Sequence, residues 1–119
     1  MSFNNRLEHL FARNKENTTF VSFFMGCDPN YKKSLSILLE AIKSGSDILE
    51  IGFANSEASS EGPIIQAASE RALKAGGNLN RVIKLAADIR KRDKKVSIVL
   101  MGYISNIFMY PLKKFVKDV

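Results

Sequence analysis

Cysteine and histidine are almost absent from this sequence. Of the 119 residues, one is a cysteine, Cys27, and one is a histidine, His9. A single cysteine excludes a disulfide within the chain and is typical of a reducing compartment. His9 and Cys27 do not have the spacing of metal ligands, and we interpret them as a helix-surface residue and a turn residue. We therefore expect no disulfide, no metal and a cytoplasmic protein.

The sequence also lacks long apolar runs and low-complexity segments. No run approaches the ~18 apolar residues that a membrane-spanning helix requires. Residues 1–6 do not contain the basic segment and apolar stretch of a signal peptide. No linker interrupts the chain, so we expect a single domain over residues 1–119 and no membrane association.

Positive charge is in excess: 18 Lys and Arg against 12 Asp and Glu give a formal net charge of +6. Such an excess raises the question of nucleic-acid binding. The densest basic segment, residues 90–95, falls where a helix is predicted to end, and cations there suit the negative end of the helix dipole. No aromatic side chains alternate with it for base stacking. We expect a solvated helix end and no nucleic-acid binding, although an acidic ligand such as a phosphate ester would tolerate this charge.

The order of apolar patterns predicts alternating strands and helices. Short runs rich in β-branched and aromatic residues predict strands at 19–25, 48–53 and 96–101. Helices are predicted over residues 6–17 and after Asn30, Gly62, Asn80 and Pro111. Asn30 is expected to cap its helix, and Gly45 is expected to end that helix in the left-handed conformation.

This alternation predicts parallel strands joined by right-handed crossovers. A (β/α)8 barrel needs about 250 residues, so the chain corresponds to just under half of one. The predicted fold class is α/β: a partial (β/α)8 TIM barrel of about three βα units with an N-terminal helix. The chain is then either a fragment or a small open sheet that must find a partner.

Glu50 is the most informative polar residue. It interrupts an apolar strand, where a charge is costly unless it has a partner or a function. Because side chains alternate along a strand, Ile48, Glu50 and Gly52 share one face, while Leu49 and Ile51 pack on the helices. Glu50 would then lie on the inner face near the carboxyl end of the strand, where barrel enzymes have their sites, suited to proton transfer. A structural carboxylate, capping a loop amide or paired with a lysine, remains equally open.

Glu61 precedes Gly62 and Pro63 at the start of a predicted helix. A loop of this length after a strand can fold over the site and present a second carboxylate. An acidic residue that only stabilises the helix N-terminus explains the position as well, and on position alone it is the better explanation.

Several segments together resemble the tryptophan synthase alpha subunit family. Residues 49–53 read LEIGF and residues 54–68 read ANSEASSEGPIIQAA, similar to that family's L-E-L/I-G followed by P-F-S-D-P-x-A-D-G-P-x-I-Q-x-A. Residues 20–23, Asp28–Pro29, residues 99–103 and Ile107–Phe108 are also similar to family motifs. The resemblance extends from about Leu7 to Val119.

The resemblance implies a lyase of tryptophan biosynthesis that splits indole-3-glycerol phosphate into indole and glyceraldehyde 3-phosphate. Glu50 would move a proton at the indole carbon that bears the glycerol chain, and Glu61 would stabilise the indole nitrogen. Phe23, Met101 and Tyr103 would line the indole pocket. The chain itself would hold no cofactor, since pyridoxal phosphate belongs to the beta subunit that is the family's partner.

The sequence departs from the family in the loop that follows Glu50. Ala54 and Ala58 replace prolines, Asn55 replaces a phenylalanine, and Glu57 and Glu61 replace aspartates; Ser105–Asn106 and Gly26–Cys27 also differ. Losing prolines is expected to loosen the loop. A longer acid displaces its carboxylate, and ~1 Å of misplacement can cost ~100-fold in rate.

The missing strands matter further, because such barrels bind phosphate through loops after strands seven and eight. We therefore expect no useful lyase activity from this chain alone. One alternative is a self-associating fragment whose exposed strand edges, and inner-face residues Val21, Phe23, Ile48 and Ile98, pair with another copy. Another is a degenerate, non-catalytic paralogue that only binds a partner.

Overall fold

Three parallel strands form the sheet of this computed structural model, which describes residues 5–57 and 60–119. They are β1 (Val21–Met25), β2 (Ile48–Gly52) and β3 (Ser97–Met101), in the order β1-β2-β3. The helices are α1 (Arg6–Arg13), α2 (Tyr31–Lys43), α3 (Pro63–Lys74), α4 (Leu79–Arg92), α5 (Ile104–Phe108) and α6 (Leu112–Asp118). The predicted α/β class and the order of parallel strands are confirmed.

Local signals position the helix α2 between the first two strands. The Asn30 side chain accepts a hydrogen bond from the Lys33 amide and so caps the helix. Gly45 follows the helix with φ +106°, a left-handed conformation in which a side chain would be strained. Both features agree with the sequence prediction.

Two helix boundaries were predicted wrongly, and one helix was not predicted. The cap of α4 is Asn78, whose side chain accepts from the Arg81 amide, and not Asn80. The earlier start brings Leu79, only 5% exposed, into the core. The first helix ends at Arg13 rather than residue 17. The helix α5 has five residues, too few for an apolar period to be visible in the sequence.

The core lies between the sheet and the helices. Leu49 and Ile51 of β2 are fully buried there, together with Leu38 of α2 and Leu85 and Ile89 of α4. Burying one such side chain stabilises the fold by roughly 1.5–3 kcal/mol. Glu50, between Leu49 and Ile51, therefore lies on the opposite face of the strand, as the alternation predicts.

Two of the residues expected on an exposed inner face are placed differently. Ile98 pairs in register with Leu49, so it lies on the helix side and packs against the core. Ile48 does lie on the inner face but is only 5% exposed. The helix α1 contacts β3, and Leu10 of α1 lines one cavity with Ser97, the register partner of Ile48. The amino end of the inner face is therefore covered at β2 and β3, whereas Val21, the first residue of β1, and Val99 remain 46% and 37% exposed.

Candidate active site

Glu50 occupies the centre of the middle strand. Its register partners are Phe23 of β1 and Val99 of β3. The residue is half-buried, and among the described residues its carboxylate has no hydrogen-bond or ion-pair partner. Every fully buried side-chain oxygen of the described residues has a hydrogen-bond partner. Since the Glu50 oxygens have none among these residues, they are not fully buried and remain accessible. The arrangement within the described residues thus excludes a lysine pair and leaves this carboxylate available for a ligand.

The carboxyl end of the inner face is apolar and tightly packed. A β-carbon at Gly52 would lie 2.9 Å from Cζ of Phe23 and 3.1 Å from Sδ of Met25. The Phe23 ring therefore lies against the backbone of β2 at a position that only glycine leaves open. Met101 is the register partner of Gly52 and is half-buried. The structure thus brings Phe23, Glu50 and Met101 to one face of the sheet, between its centre and its carboxyl end.

Tyr103 and Glu61 are connected through Ser60. Tyr103 lies two residues beyond the end of β3, and its hydroxyl shares a hydrogen bond with the Ser60 hydroxyl. Glu61 directly follows Ser60 and is half-buried, two residues before α3 begins at Pro63. The bond places the segment that carries Glu61 beside the end of β3. Among the described residues, Glu61 has no hydrogen-bond or ion-pair partner.

A second contact joins the same two segments. Asn55 Nδ2 donates to Oδ1 of Asn106 at 2.6 Å and lies 3.4 Å from Oγ of Ser105. Asn55 Oδ1 in turn accepts a hydrogen bond from the Glu57 amide at 2.7 Å. These partners were not predicted from the sequence, in which Asn55, Ser105 and Asn106 stood out only as departures from the family motif. Ala58, one of the proline replacements, lies outside the described residues.

The turn after β1 anchors α3. Arg71 donates to both carboxylate oxygens of Asp28, at 2.8 and 2.9 Å. This bidentate geometry is the strong form of an arginine–carboxylate pair, and it raises the pKa of the Arg71 guanidinium. The sequence places Asp28 and Arg71 43 residues apart, so nothing local to either residue indicated the pair.

Cys27, in the same turn, is a buried structural residue. It has φ +70° and no exposed surface, and its amide donates to Oγ of Ser34 at 3.0 Å. Burial raises the pKa of the Cys27 thiol, although nearby Arg81 opposes the shift. A neutral, buried thiol is a poor nucleophile, in agreement with its interpretation as a turn residue.

Two cavities among the described residues lie away from Glu50. One of about 560 Å³ lies among α1, α4 and β3, and one of about 440 Å³ lies at the amino ends of the strands. Neither is lined by Glu50. Over residues 5–57 and 60–119, no group of three His, Cys, Asp or Glu side chains could hold a metal ion. No helix in that part of the chain is long and apolar enough to cross a membrane.

Solved structures of similar fold are known. A chain from Aquifex aeolicus VF5 is 38% identical with a TM-score of 0.90, over 96% of this chain and 46% of that one. The tryptophan synthase subunit alpha of Legionella pneumophila str. Paris is 30% identical with a TM-score of 0.93, over 96% and 44%. The tryptophan synthase subunit alpha of Campylobacter jejuni is 34% identical with a TM-score of 0.77, over 91% and 42%.

The chain thus spans less than half the length of these structures. Its three parallel strands and their helices correspond to the N-terminal part of the TIM barrel of tryptophan synthase alpha. The family model for the tryptophan synthase alpha chain matches residues 10–119. On this match over nearly its whole length, the chain belongs to the tryptophan synthase alpha chain family.

Proposed function

We propose that this chain supplies the proton-transfer carboxylate and the apolar floor of an indole-3-glycerol phosphate lyase. The observation that carries the proposal is Glu50: a carboxylate without a partner among the described residues, at the centre of the sheet, on the face away from the helices. A charge in that position has no structural role that the contacts of the described residues explain. Membership of a lyase family supports a catalytic role for it.

In the proposed reaction, the bond between the indole ring carbon and the first glycerol carbon breaks. Glu50 in its protonated form delivers a proton to that ring carbon. The carboxylate that results accepts the proton of the adjoining glycerol hydroxyl as the carbon–carbon bond breaks and the aldehyde forms. Glu61 accepts a hydrogen bond from the indole N–H, which favours the charge that develops on the ring. Phe23 and Met101 provide an apolar surface for the ring, with Tyr103 at its edge. The products are indole and glyceraldehyde 3-phosphate.

We further propose that the 119 residues alone do not turn over. TIM barrels bind phosphate through loops after strands seven and eight, whereas the described residues contain three strands. Without the phosphate contacts, the binding energy that orients the substrate is lost. No cofactor is needed in this chain for the proposed chemistry.

A beta subunit that carries pyridoxal phosphate is the proposed partner. Support comes from an apolar surface on and after α5, close to Tyr103. Ile104, Phe108 and Met109 there are 61%, 76% and 89% exposed. Exposed apolar side chains that lie together are typical of a protein-binding surface.

The test is an assay of indole release from indole-3-glycerol phosphate. We expect no release from the isolated chain, and release when the remaining strands of a relative are supplied in trans or by fusion. Glu50→Gln should then lower the rate by at least the ~100-fold that a positioned general acid contributes. Glu70→Gln, which changes an exposed carboxylate on α3, is the matched control and should leave the rate unchanged. A completed barrel whose activity is unaffected by Glu50→Gln would refute the role of Glu50.

A second candidate function is a non-catalytic module that self-associates. The specific observation in its favour is that β1 and β3 are both edge strands among the described residues. Val21 of β1 and Val99 of β3 are exposed on the inner face. This candidate predicts that the isolated chain forms an oligomer and that the completed barrel releases no indole, so the same assay distinguishes the two functions.

A further inference from the structure

Two side-chain contacts connect the segment after β2 to the segment after β3. Asn55, three residues beyond the end of β2, donates to Asn106 at 2.6 Å. Ser60, directly before Glu61, shares a hydrogen bond with the Tyr103 hydroxyl. The contacts join positions 51 and 43 residues apart in the sequence. Both ends of the segment that leads to Glu61 are therefore tied to the same neighbouring connection.

The contacts involve positions where the chain departs from the family motif. Asn55 replaces a phenylalanine and Asn106 replaces a proline, and these two side chains bond to each other. The side-chain oxygen Oδ1 of Asn55 also accepts a hydrogen bond from the Glu57 amide. The two substitutions remove a phenylalanine and a proline of the family motif. At the same positions, a hydrogen bond to the segment after β3 holds the loop.

We propose that Tyr103 and Asn55 are positioning residues, which hold the loop acid Glu61 at the carboxyl end of the sheet through a strap of two hydrogen-bonded pairs, Ser60–Tyr103 and Asn55–Asn106. This assignment rests on the proposed function for the role of Glu61. The two parts of Tyr103 then have different roles. The ring lies at the edge of the indole pocket, and the hydroxyl holds Ser60, the residue before Glu61.

The strap accounts for a longer acid at a position where placement matters. A glutamate has one more rotatable bond than an aspartate, so its carboxylate is less defined unless the backbone beneath it is fixed. Because Ser60 is bonded directly to Glu61, the backbone between them is too short to absorb a displacement of Ser60. A movement of Ser60 therefore moves Glu61 as well. Removing the Tyr103 hydroxyl should therefore change the surroundings of Glu61 while leaving the sheet intact.

The test is amide hydrogen exchange and carboxyl ¹³C resonances in the isolated 119-residue chain, without substrate. Tyr103→Phe, which keeps the ring, should accelerate exchange at the Glu57 amide, which donates to Asn55 in the same loop, by about 2- to 10-fold, the effect of one hydrogen bond. The side-chain carboxyl resonance of Glu61 should shift. Exchange at the core amides of Leu49 and Ile51 should not change.

Ser60→Ala supplies the second arm. If the two hydroxyls act through one bond, Ser60→Ala should reproduce the effect of Tyr103→Phe, and the double variant should add nothing to either. The matched control is Tyr110→Phe, which removes a hydroxyl that bonds Asp118 at 2.6 Å and should leave the loop amides unchanged.

Three results would each overturn the proposal. They are unchanged exchange at the loop amides in Tyr103→Phe, additive effects of the two variants, and faster exchange throughout the sheet. None of these outcomes depends on turnover. A completed barrel that releases no indole would refute the proposed lyase role, and one whose activity is unaffected by Glu50→Gln would refute the role of Glu50. Neither result changes the exchange data, so the two failures are distinguishable.

Discussion

At the residue scale, Gly52 sets how closely the Phe23 ring can approach β2. A β-carbon there would lie 2.9 Å from Cζ of Phe23 and 3.1 Å from Sδ of Met25, both closer than van der Waals contact allows. Since Gly52 is buried in the sheet, the ring must move for any side chain to fit. Because Gly52 has no side chain, the Phe23 ring can pack directly on β2 and form the apolar surface beside Glu50.

Gly52→Ala should destabilise the fold by about 1–3 kcal/mol, the usual cost of an extra methyl group in a packed site. Urea unfolding followed by circular dichroism measures the change. Gly62→Ala is the matched control, because a β-carbon at Gly62 has nothing within 4 Å; it should cost clearly less. Equal stability of Gly52→Ala and the unaltered chain would show that Phe23 moves freely.

At the element scale, a charged cluster joins α2 to α4. The Tyr31 hydroxyl of α2 donates to Asp88 of α4 at 2.6 Å. Lys84 and Lys91 lie 3.0 and 3.1 Å from the same carboxylate, and Lys84 also lies over the Tyr31 ring. The Tyr31 hydrogen bond first, and then those from Lys84 and Lys91, hold the pKa of Asp88 well below its usual range.

The cluster predicts how stability depends on pH. A carboxyl whose folded pKa is depressed stabilises the fold above its unfolded pKa of about 3.9, and this stabilisation is lost as the pH falls through the folded pKa. The advantage of the unaltered chain over Asp88→Asn should thus be full at pH 7 and should shrink steadily below about pH 4.

Urea midpoints between about pH 7 and about pH 2 measure that advantage across the window of the linkage. Glu40→Gln is the control, since its carboxylate is exposed and lies 3.9 Å from Lys43; its midpoint should follow that of the unaltered chain at every pH. A constant difference between Asp88→Asn and the unaltered chain over this range would contradict the linkage.

At the scale of the whole molecule, the sheet has two open edges and a partly covered inner face. Within residues 5–57 and 60–119, both outer strands, β1 and β3, pair on one side only, and such edges can pair with another chain. On the inner face, Val21 and Val99 stay exposed while Ile48 does not. The surface available for association is therefore smaller than the sequence suggested, and it lies on the two outer strands, at Val21 of β1 and Val99 of β3.

We predict that the isolated chain self-associates through this surface. Burying an apolar side chain stabilises by about 1.5–3 kcal/mol, so Val99→Lys should weaken association by on the order of tenfold or more. Sedimentation equilibrium measures the constant. Ile64→Lys is the control, because Ile64 is 80% exposed and belongs to α3 rather than to an edge strand. A monomer at all concentrations, or equal weakening by both variants, would refute the prediction.

Properties that depend on neighbouring residues were determined by the sequence alone. The alternation of strand and helix, the cap at Asn30, the left-handed Gly45 and the face on which Glu50 lies all follow from patterns a few residues long. The error at α4 was of the same local kind: two asparagines two positions apart could each cap a helix, and the burial of Leu79 decided in favour of Asn78.

Properties that depend on partners distant in the chain were decided only by the tertiary structure. Ile98 was assigned to the wrong face because β3 is apolar without interruption from Ile98 to Met101, so its own sequence does not distinguish its two faces. The pairing of Ile98 with Leu49 does. The Asp28–Arg71 pair and the Asn55–Asn106 contact join residues 43 and 51 positions apart. Such contacts exist because parallel strands bring the connections at their carboxyl ends to one edge of the sheet, and that proximity is a property of the fold rather than of either segment.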